Sequence, residues 1–393
     1  MRTADAPSLP ETLMIDLDYQ EILKRQQETA PVRRLEPSAV IPIEHCIVEQ
    51  FYGNSIGRSL SRFYHDPDEM LYTSVMGQKW ELENVRSHKS VIGLRCTLTN
   101  MDEACSLGAE PYFPGGDFNI PNVKPWIKSK TDLTRLAAID PLKSGYRQRS
   151  LVFRDLIRSR AERVNLVFRD GTFMKLLEFS QGVAGGGGTM GPFTIAQQLR
   201  GAEIYYDLVD NPSFVDEMLE IITDKIIRWQ EFLIEDYRRN GASYALFVAD
   251  DSAANLSLEH FDRFSGRYVR RIMEHFQDRY KLWHMCGNTN HLLDYFAQEL
   301  PFQEYSLFGF AQDKQKIRSL FGGRCVLKGN VDPKTIHLGS RQDVFDESMQ
   351  ILNVFKDVPG FILSDGANIP PGSPKQNINA MYDAVQAALS NAR

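Results

Sequence analysis

The sequence predicts an α/β fold, a closed (β/α)8 or TIM barrel preceded by an N-terminal helical extension. Three observations carry this. From about Val164 onward, short β-rich runs alternate with amphipathic helices. The strands read as continuous apolar runs, as expected of a parallel sheet buried on both faces. Polar residues gather at the ends of several different strands, at Asp250-Asp251, His284 to Asn288, Gly329-Asn330 and Ser364-Asp365-Gly366. An open doubly wound sheet would show an early Gly-rich fingerprint instead, and convergence of many strand ends on one site is the barrel pattern.

Taken in order, residues 1–35, with Leu13, Ile15, Ile22 and Leu23, form the extension, and residues 36–393 form one barrel domain that carries the site. A first strand ends near His45, in Ile41-Pro42-Ile43-Glu44-His45-Cys46. The clearest helix runs from Asn211-Pro212-Ser213 to Asn240-Gly241, with Val215, Met218, Leu219, Ile222, Ile226, Trp229, Leu233 and Tyr237 on one face. A strand over Tyr244 to Ala249 is followed by a helix from Ser257 to about Tyr280. The unit then recurs: a strand at Leu282-Trp283 with a helix from about Asn290, Glu304 to Phe310 with a helix from Asp313, Cys325 to Lys328 with a helix after Asp343, and Phe361 to Leu363 with a final helix. Ser373 is the expected cap of that last helix, with Pro374 in its first turn and Gln376 at the capping-box position.

Composition narrows the function. In 393 residues, 45 Lys and Arg stand against 51 Asp and Glu, a net charge of -6, which offers no basic face for nucleic acid or anionic lipid. No stretch has the length of a membrane span or the form of a signal peptide, so a cytoplasmic protein is expected. The five cysteines, Cys46, Cys96, Cys105, Cys286 and Cys325, are too scattered for a disulfide framework, which leaves metal or thiol chemistry or simple packing. A homodimer is compatible with this composition.

His284-x-Cys286 is the most informative pair. Residues i and i+2 at a strand end point the same way, and imidazole with thiolate selects Zn. The alternative is a hydrogen-bonded histidine beside a buried thiol. Asp250, Asp251 and Asp365 follow apolar strands, where carboxylates ligate metal, orient substrate or move protons; one of them capping the following helix is the competing reading. His45 is a further catalytic candidate. Phe193, Asn288 and Asn330 are candidate substrate contacts, with Phe179, Tyr305, Phe308 and Phe310 as aromatic neighbours. Gly185 to Gly188 invites a phosphate-loop reading, but the Lys-Ser/Thr of a nucleotide loop is missing and a glycine-rich crossing into the helix from Thr194 is favoured.

These strand ends, in this order, carry a resemblance. Gly191-Pro192-Phe193-Thr194 through Gly201, Asp250-Asp251-Ser252, His284-x-Cys286-Gly287, Gly329-Asn330-Val331-Asp332-Pro333 and Gly366-Ala367-Asn368-Ile369-Pro370-Pro371 together resemble the uroporphyrinogen decarboxylase superfamily. The resemblance implies a (β/α)8 barrel with its site at the C-terminal mouth. The decarboxylases carry an early Arg-rich loop of the type RQAGRYLP; here Lys24 to Val32 reads KRQQETAPV and does not match. The chain looks more like the branch that exchanges methyl groups with corrinoid proteins, in which the His-x-Cys pair and a later Cys hold Zn. His284 and Cys286 match, whereas Ala367 stands where the later Cys belongs.

The resemblance therefore implies a Zn site of His284, Cys286 and a third ligand, for which Asp365 is the nearest candidate and Glu304 and Cys46 are outsiders. Cys325 begins its strand and belongs at the opposite end of the barrel. Exchanging a thiolate for a carboxylate makes the ion harder and suits attack on an oxygen ether. The expected function is demethylation of a methoxylated, aromatic compound, the methyl group passing to a corrinoid (cobalamin) on a separate partner protein. Catalytic roles fall to Asp250, Asp251 and His45. The alternatives are a tetrapyrrole decarboxylase, with Arg33, Arg34, Arg58 and Arg62 as its basic pocket, and a binding protein of the same fold that has lost catalysis.

Overall fold

The computed structural model describes residues 8–96, 99–113, 121–184, 188–239 and 244–390. Its centre is a ring of parallel strands. The third to eighth barrel strands, Thr189–Met190, Leu246–Ala249, Lys281–His284, Glu304–Ser306, Val326–Val331 and Phe361–Asp365, are hydrogen-bonded neighbours in that order. A parallel bridge from Leu363 to Ile43 adds the first strand. The third strand begins in a separate piece, Val183–Ala184, paired in parallel with the second strand, Leu94–Arg95. His88 joins the first strand to the segment leading into the second: its N–H donates to the Ile43 carbonyl at 2.7 Å and its Nδ1 accepts the Ile43 N–H at 2.9 Å.

The helices form where the sequence places them. Pro212–Arg239 buries Val215, Met218, Leu219, Ile222, Ile226, Trp229 and Leu233, an i, i+3, i+4 stripe laid on the barrel wall. Its expected stop at Asn240-Gly241 lies outside the described residues, as do Gly185 to Gly187. Ser257 caps its helix through the His260 N–H, and Asp313 caps Lys314–Phe321. Among the boundaries that move, two have a clear cause in side-chain hydrogen bonding. The helix expected after Asp343 begins at Arg341, because Ser340 and Asp343 form a reciprocal capping box. The last helix begins at Lys375, and the Ser373 hydroxyl donates to the Pro370 carbonyl instead of capping it.

The N-terminal extension is not wholly helical. Thr12–Ile15 is a strand, paired in parallel with Asn165–Phe168, which in turn pairs antiparallel with Phe173–Lys175. This satellite sheet stands outside the barrel. The helix Tyr19–Arg33 then runs to the barrel floor, where Val32 packs on Val326 and Ile362, each near the start of its strand. There Arg33 donates to Glu304 at 3.0 Å and to Glu44 at 2.6 Å, and Lys328 donates to Glu44 at 2.9 Å. Burial alone would raise the Glu44 carboxyl; the Lys328 and Arg33 cations overcome it and hold it at about 2. Glu304 thereby serves the floor and Cys325, buried just before Val326, lies at the same end, as its position in the strand predicts.

Candidate metal centre

At the opposite end, the fourth and fifth strands deliver three ligand types to one point. The fifth strand ends at His284, whose ring lies 5.9 Å from the Phe247 ring in a near-parallel stack. His284 Nδ1 lies 2.9 Å from the Ser306 carbonyl oxygen. A carbonyl only accepts, so Nδ1 carries the hydrogen and Nε2 presents its lone pair. Nε2 faces Asp251 Oδ2 at 3.6 Å. The Cys286 N–H donates to Asp251 Oδ1 at 3.0 Å, and its sulfur lies 3.4 Å from the same oxygen. Donor atoms of Asp251, His284 and Cys286 all lie within 4.8 Å of one another.

This N, O, S set fits a divalent ion of borderline softness such as Zn, which takes imidazole, thiolate and carboxylate at about 2.0–2.3 Å and leaves a fourth position open in catalytic sites. The tautomer of His284 is already the one that ligation through Nε2 requires. Without an ion, burial and the neighbouring Asp251 push the Cys286 thiol up to about 12.

The third member is Asp251, not the expected Asp365. Asp365 is fully buried, and its Oδ1 accepts the Cys46 N–H at 2.9 Å, which ties it to the first strand and away from the trio. Among the described residues its Oδ2 has no partner, and burial raises the carboxyl to about 6. Cys46 also stays apart, its thiol donating to Asn368 Oδ1 at 2.8 Å. Asp251, for which metal ligation, substrate orientation, proton transfer and helix capping are all open from the sequence, opens the short turn Asp251–Asn255 with its carboxylate turned to Cys286.

Other candidates disperse. Asp250 is completely buried, accepts the Thr194 N–H at 2.7 Å and the Ser265 hydroxyl at 2.5 Å, and so straps two helical segments together with no oxygen left for substrate. Gly191 is required beside it, since a Cβ there would lie 2.3 Å from Asp250 Cγ. Phe193 is buried against Tyr205, with ring centroids 5.8 Å apart, because it sits on the inner face of Pro192–Arg200. Phe179, Tyr305 and Phe308 are core as well, whereas Phe310 is exposed. Asn288 is exposed and accepts from Asn290. Asn330 is buried, donates to the Gly309 carbonyl at 3.2 Å and keeps an unpaired Oδ1. Both His45 ring nitrogens are buried without a partner, and burial with the nearby Lys328 charge drives the ring down to about 3, so it is neutral.

The basic pocket expected of a tetrapyrrole decarboxylase does not assemble from its candidates. Arg33 is spent on Glu44 and Glu304, Arg34 on Glu36, Arg58 on Glu69 and Arg62 on Asp66.

A sequence model of uroporphyrinogen decarboxylase (URO-D) matches residues 96–388, most of the chain. The chain belongs to the uroporphyrinogen decarboxylase family. Among curated family relatives, methylcobamide:CoM methyltransferase MtbA of Methanosarcina acetivorans is 24% identical over 209 residues, covering 51% of this chain and 57% of the relative. A uroporphyrinogen decarboxylase of Wolbachia sp. subsp. Brugia malayi is 22% identical over 209 residues, covering 50% and 56%. The chain thus spans little more than half the length of these relatives. A solved methyltransferase structure from Methanosarcina mazei superposes over 95% of this chain and 99% of its own at TM-score 0.67 and 19% identity, which establishes the common barrel fold. Among the described residues, no helix of this family member is long and apolar enough to cross a membrane.

Proposed function

We propose that this barrel is a corrinoid-dependent methyltransferase that removes the methyl group of a methoxylated aromatic compound and hands it to a corrinoid carried by a separate protein. The observation that carries the reading is the trio Asp251, His284 and Cys286, with one thiolate only. The similarity to MtbA, a methylcobamide:CoM methyltransferase by name, supports the methyl-transfer chemistry. The proposed catalytic domain is residues 36–393, with 1–35 as extension and floor, and a cytoplasmic location suits an open thiolate ligand.

An ion held by Asp251, His284 and Cys286 would supply Lewis acidity toward an ether oxygen. This chain's residues do the rest. The Ser306 carbonyl fixes the His284 ring, and the Cys286 N–H orients the Asp251 carboxylate. In the reaction the methyl carbon bonds to Co(I) of the partner, the C–O bond pair stays on the aryl oxygen, and that oxygen takes a proton. Asp365 is the proposed donor: of the two buried carboxyls raised to about 6, Asp250 has both oxygens occupied and Asp365 has Oδ2 free. Neutral His45 and Asn330 Oδ1 keep polar atoms that no hydrogen bond uses among the described residues.

The test is to mix the purified chain with methoxylated aromatics and a reduced corrinoid protein and record methyl-Co(III) absorbance. The spectrum should appear with an aryl methyl ether and vanish in Cys286→Ser. Turnover of uroporphyrinogen with no methyl-Co(III) from any ether would replace this reading with the decarboxylase one.

A further inference from the structure

Beside the first three barrel strands lies a cavity of about 1120 Å³, lined among others by Tyr52, Phe63, Gln78, Arg95 and Tyr237. None of Asp251, His284 and Cys286 lines it. Two of its other cations are engaged: Lys89 is 3.2 Å from Glu81, and Lys175 donates to Asn165 at 2.7 Å. Arg95 differs. It stands on the second strand in register with Ala184, it is exposed to the cavity, and among the described residues its side chain has no hydrogen-bond or ion-pair partner.

A guanidinium in a concave site, with five donors in a planar fork and none used, is built for a planar oxyanion held by two parallel hydrogen bonds. Aromatic walls on the same cavity suit a flat ring behind that group. Glu49, Glu162, Glu178 and Asp236 also stand on the lining and would repel a second negative charge, which favours a monoanionic carboxylate over a phosphate dianion.

We infer that Arg95 is the anchor of a subsite in this cavity for an aromatic carboxylate. The subsite stands independently of the methyltransferase reading. Titration calorimetry of the full chain with benzoate, benzamide and inorganic phosphate tests it, using the wild type, Arg95→Met and Arg95→Lys. Benzoate should bind the wild type, bind Arg95→Met about 10- to 100-fold more weakly, and be partly restored by Arg95→Lys. Benzamide, the neutral isostere, should bind weakly and equally to the wild type and Arg95→Met. Equal benzoate affinity in wild type and Arg95→Met, no benzoate binding at all, or tighter binding of phosphate than of benzoate would overturn the inference. Arg95-dependent benzoate binding in a chain that gives no methyl-Co(III) from any methoxylated aromatic would leave the subsite standing and reject the methyltransferase reading alone.

Discussion

The backbone N–H of Cys286 donates to Asp251 Oδ1 at 3.0 Å, joining the end of the fifth barrel strand to the turn after the fourth. One hydrogen bond thus brings a carboxylate to the His-x-Cys pair, and it selects Asp251 over every other acidic residue at the mouth. Because the bond uses backbone of Cys286, it survives substitution of the thiol, so Cys286→Ser should lose metal affinity without disordering Asp251.

Asp250 is expected to matter for stability and not for ligand recognition. Asp250→Ala removes the acceptor for the Thr194 N–H and the Ser265 hydroxyl, both buried. Losing hydrogen bonds to a charged acceptor and stranding a donor should cost roughly 3 kcal/mol. Urea unfolding should show this as a lower midpoint with unchanged slope.

The floor network sets an acid limit. Glu44 is held at about 2 in the folded chain against an ordinary value near 4.5. Its carboxyl is depressed on folding, so its contribution is complete above the unfolded value and is lost as pH falls from about 4.5 toward 2. Thermal melts should show a steep acid decline that Glu44→Gln flattens. Lys328→Met, which leaves Glu44 without its Lys328 partner, should lower stability at neutral pH by about 3 kcal/mol.

Asp365 has the opposite sign. Its folded value, about 6, lies above the ordinary 3.8, so the folded chain holds a proton that the unfolded chain has released. Stability therefore falls as pH rises from about 4 through 6. Asp365→Asn should flatten this part of the profile and raise the melting temperature at pH 8, the full shift corresponding to an upper bound of about 3 kcal/mol. If Asp365 supplies the proton, the same variant loses most of its methyl transfer despite its greater stability, and wild-type turnover declines above about pH 6.

Much of the fold was legible because barrel strands announce themselves locally. Val326 to Val331 and Phe361 to Asp365 are unbroken buried runs, and Ser257 and Asp313 cap as their chemistry requires. The strand Thr12–Ile15 was not, since its partner begins at Asn165 and four residues carry no usable period. The site was half legible. A strand end fixes where His284 and Cys286 point, but which carboxylate joins them depends on turn geometry after the strand. Asp251 and Asp365 both follow apolar runs; only the Cys286 and Cys46 N–H groups, each claiming one of them, tell the two apart. Phe193 misled for a related reason: it follows a strand end but belongs to a helix, where orientation turns by 100° per residue.

Metal content tests the central claim most directly. The purified protein, analysed by elemental mass spectrometry beside Asp251→Ala, His284→Ala, Cys286→Ser and Asp365→Asn, should carry about one Zn per chain, as a single three-ligand site with an open position requires. The first three variants should lose it and Asp365→Asn should keep it. A metal-free wild type, or an Asp251→Ala protein that retains Zn while Asp365→Asn loses it, would contradict the account.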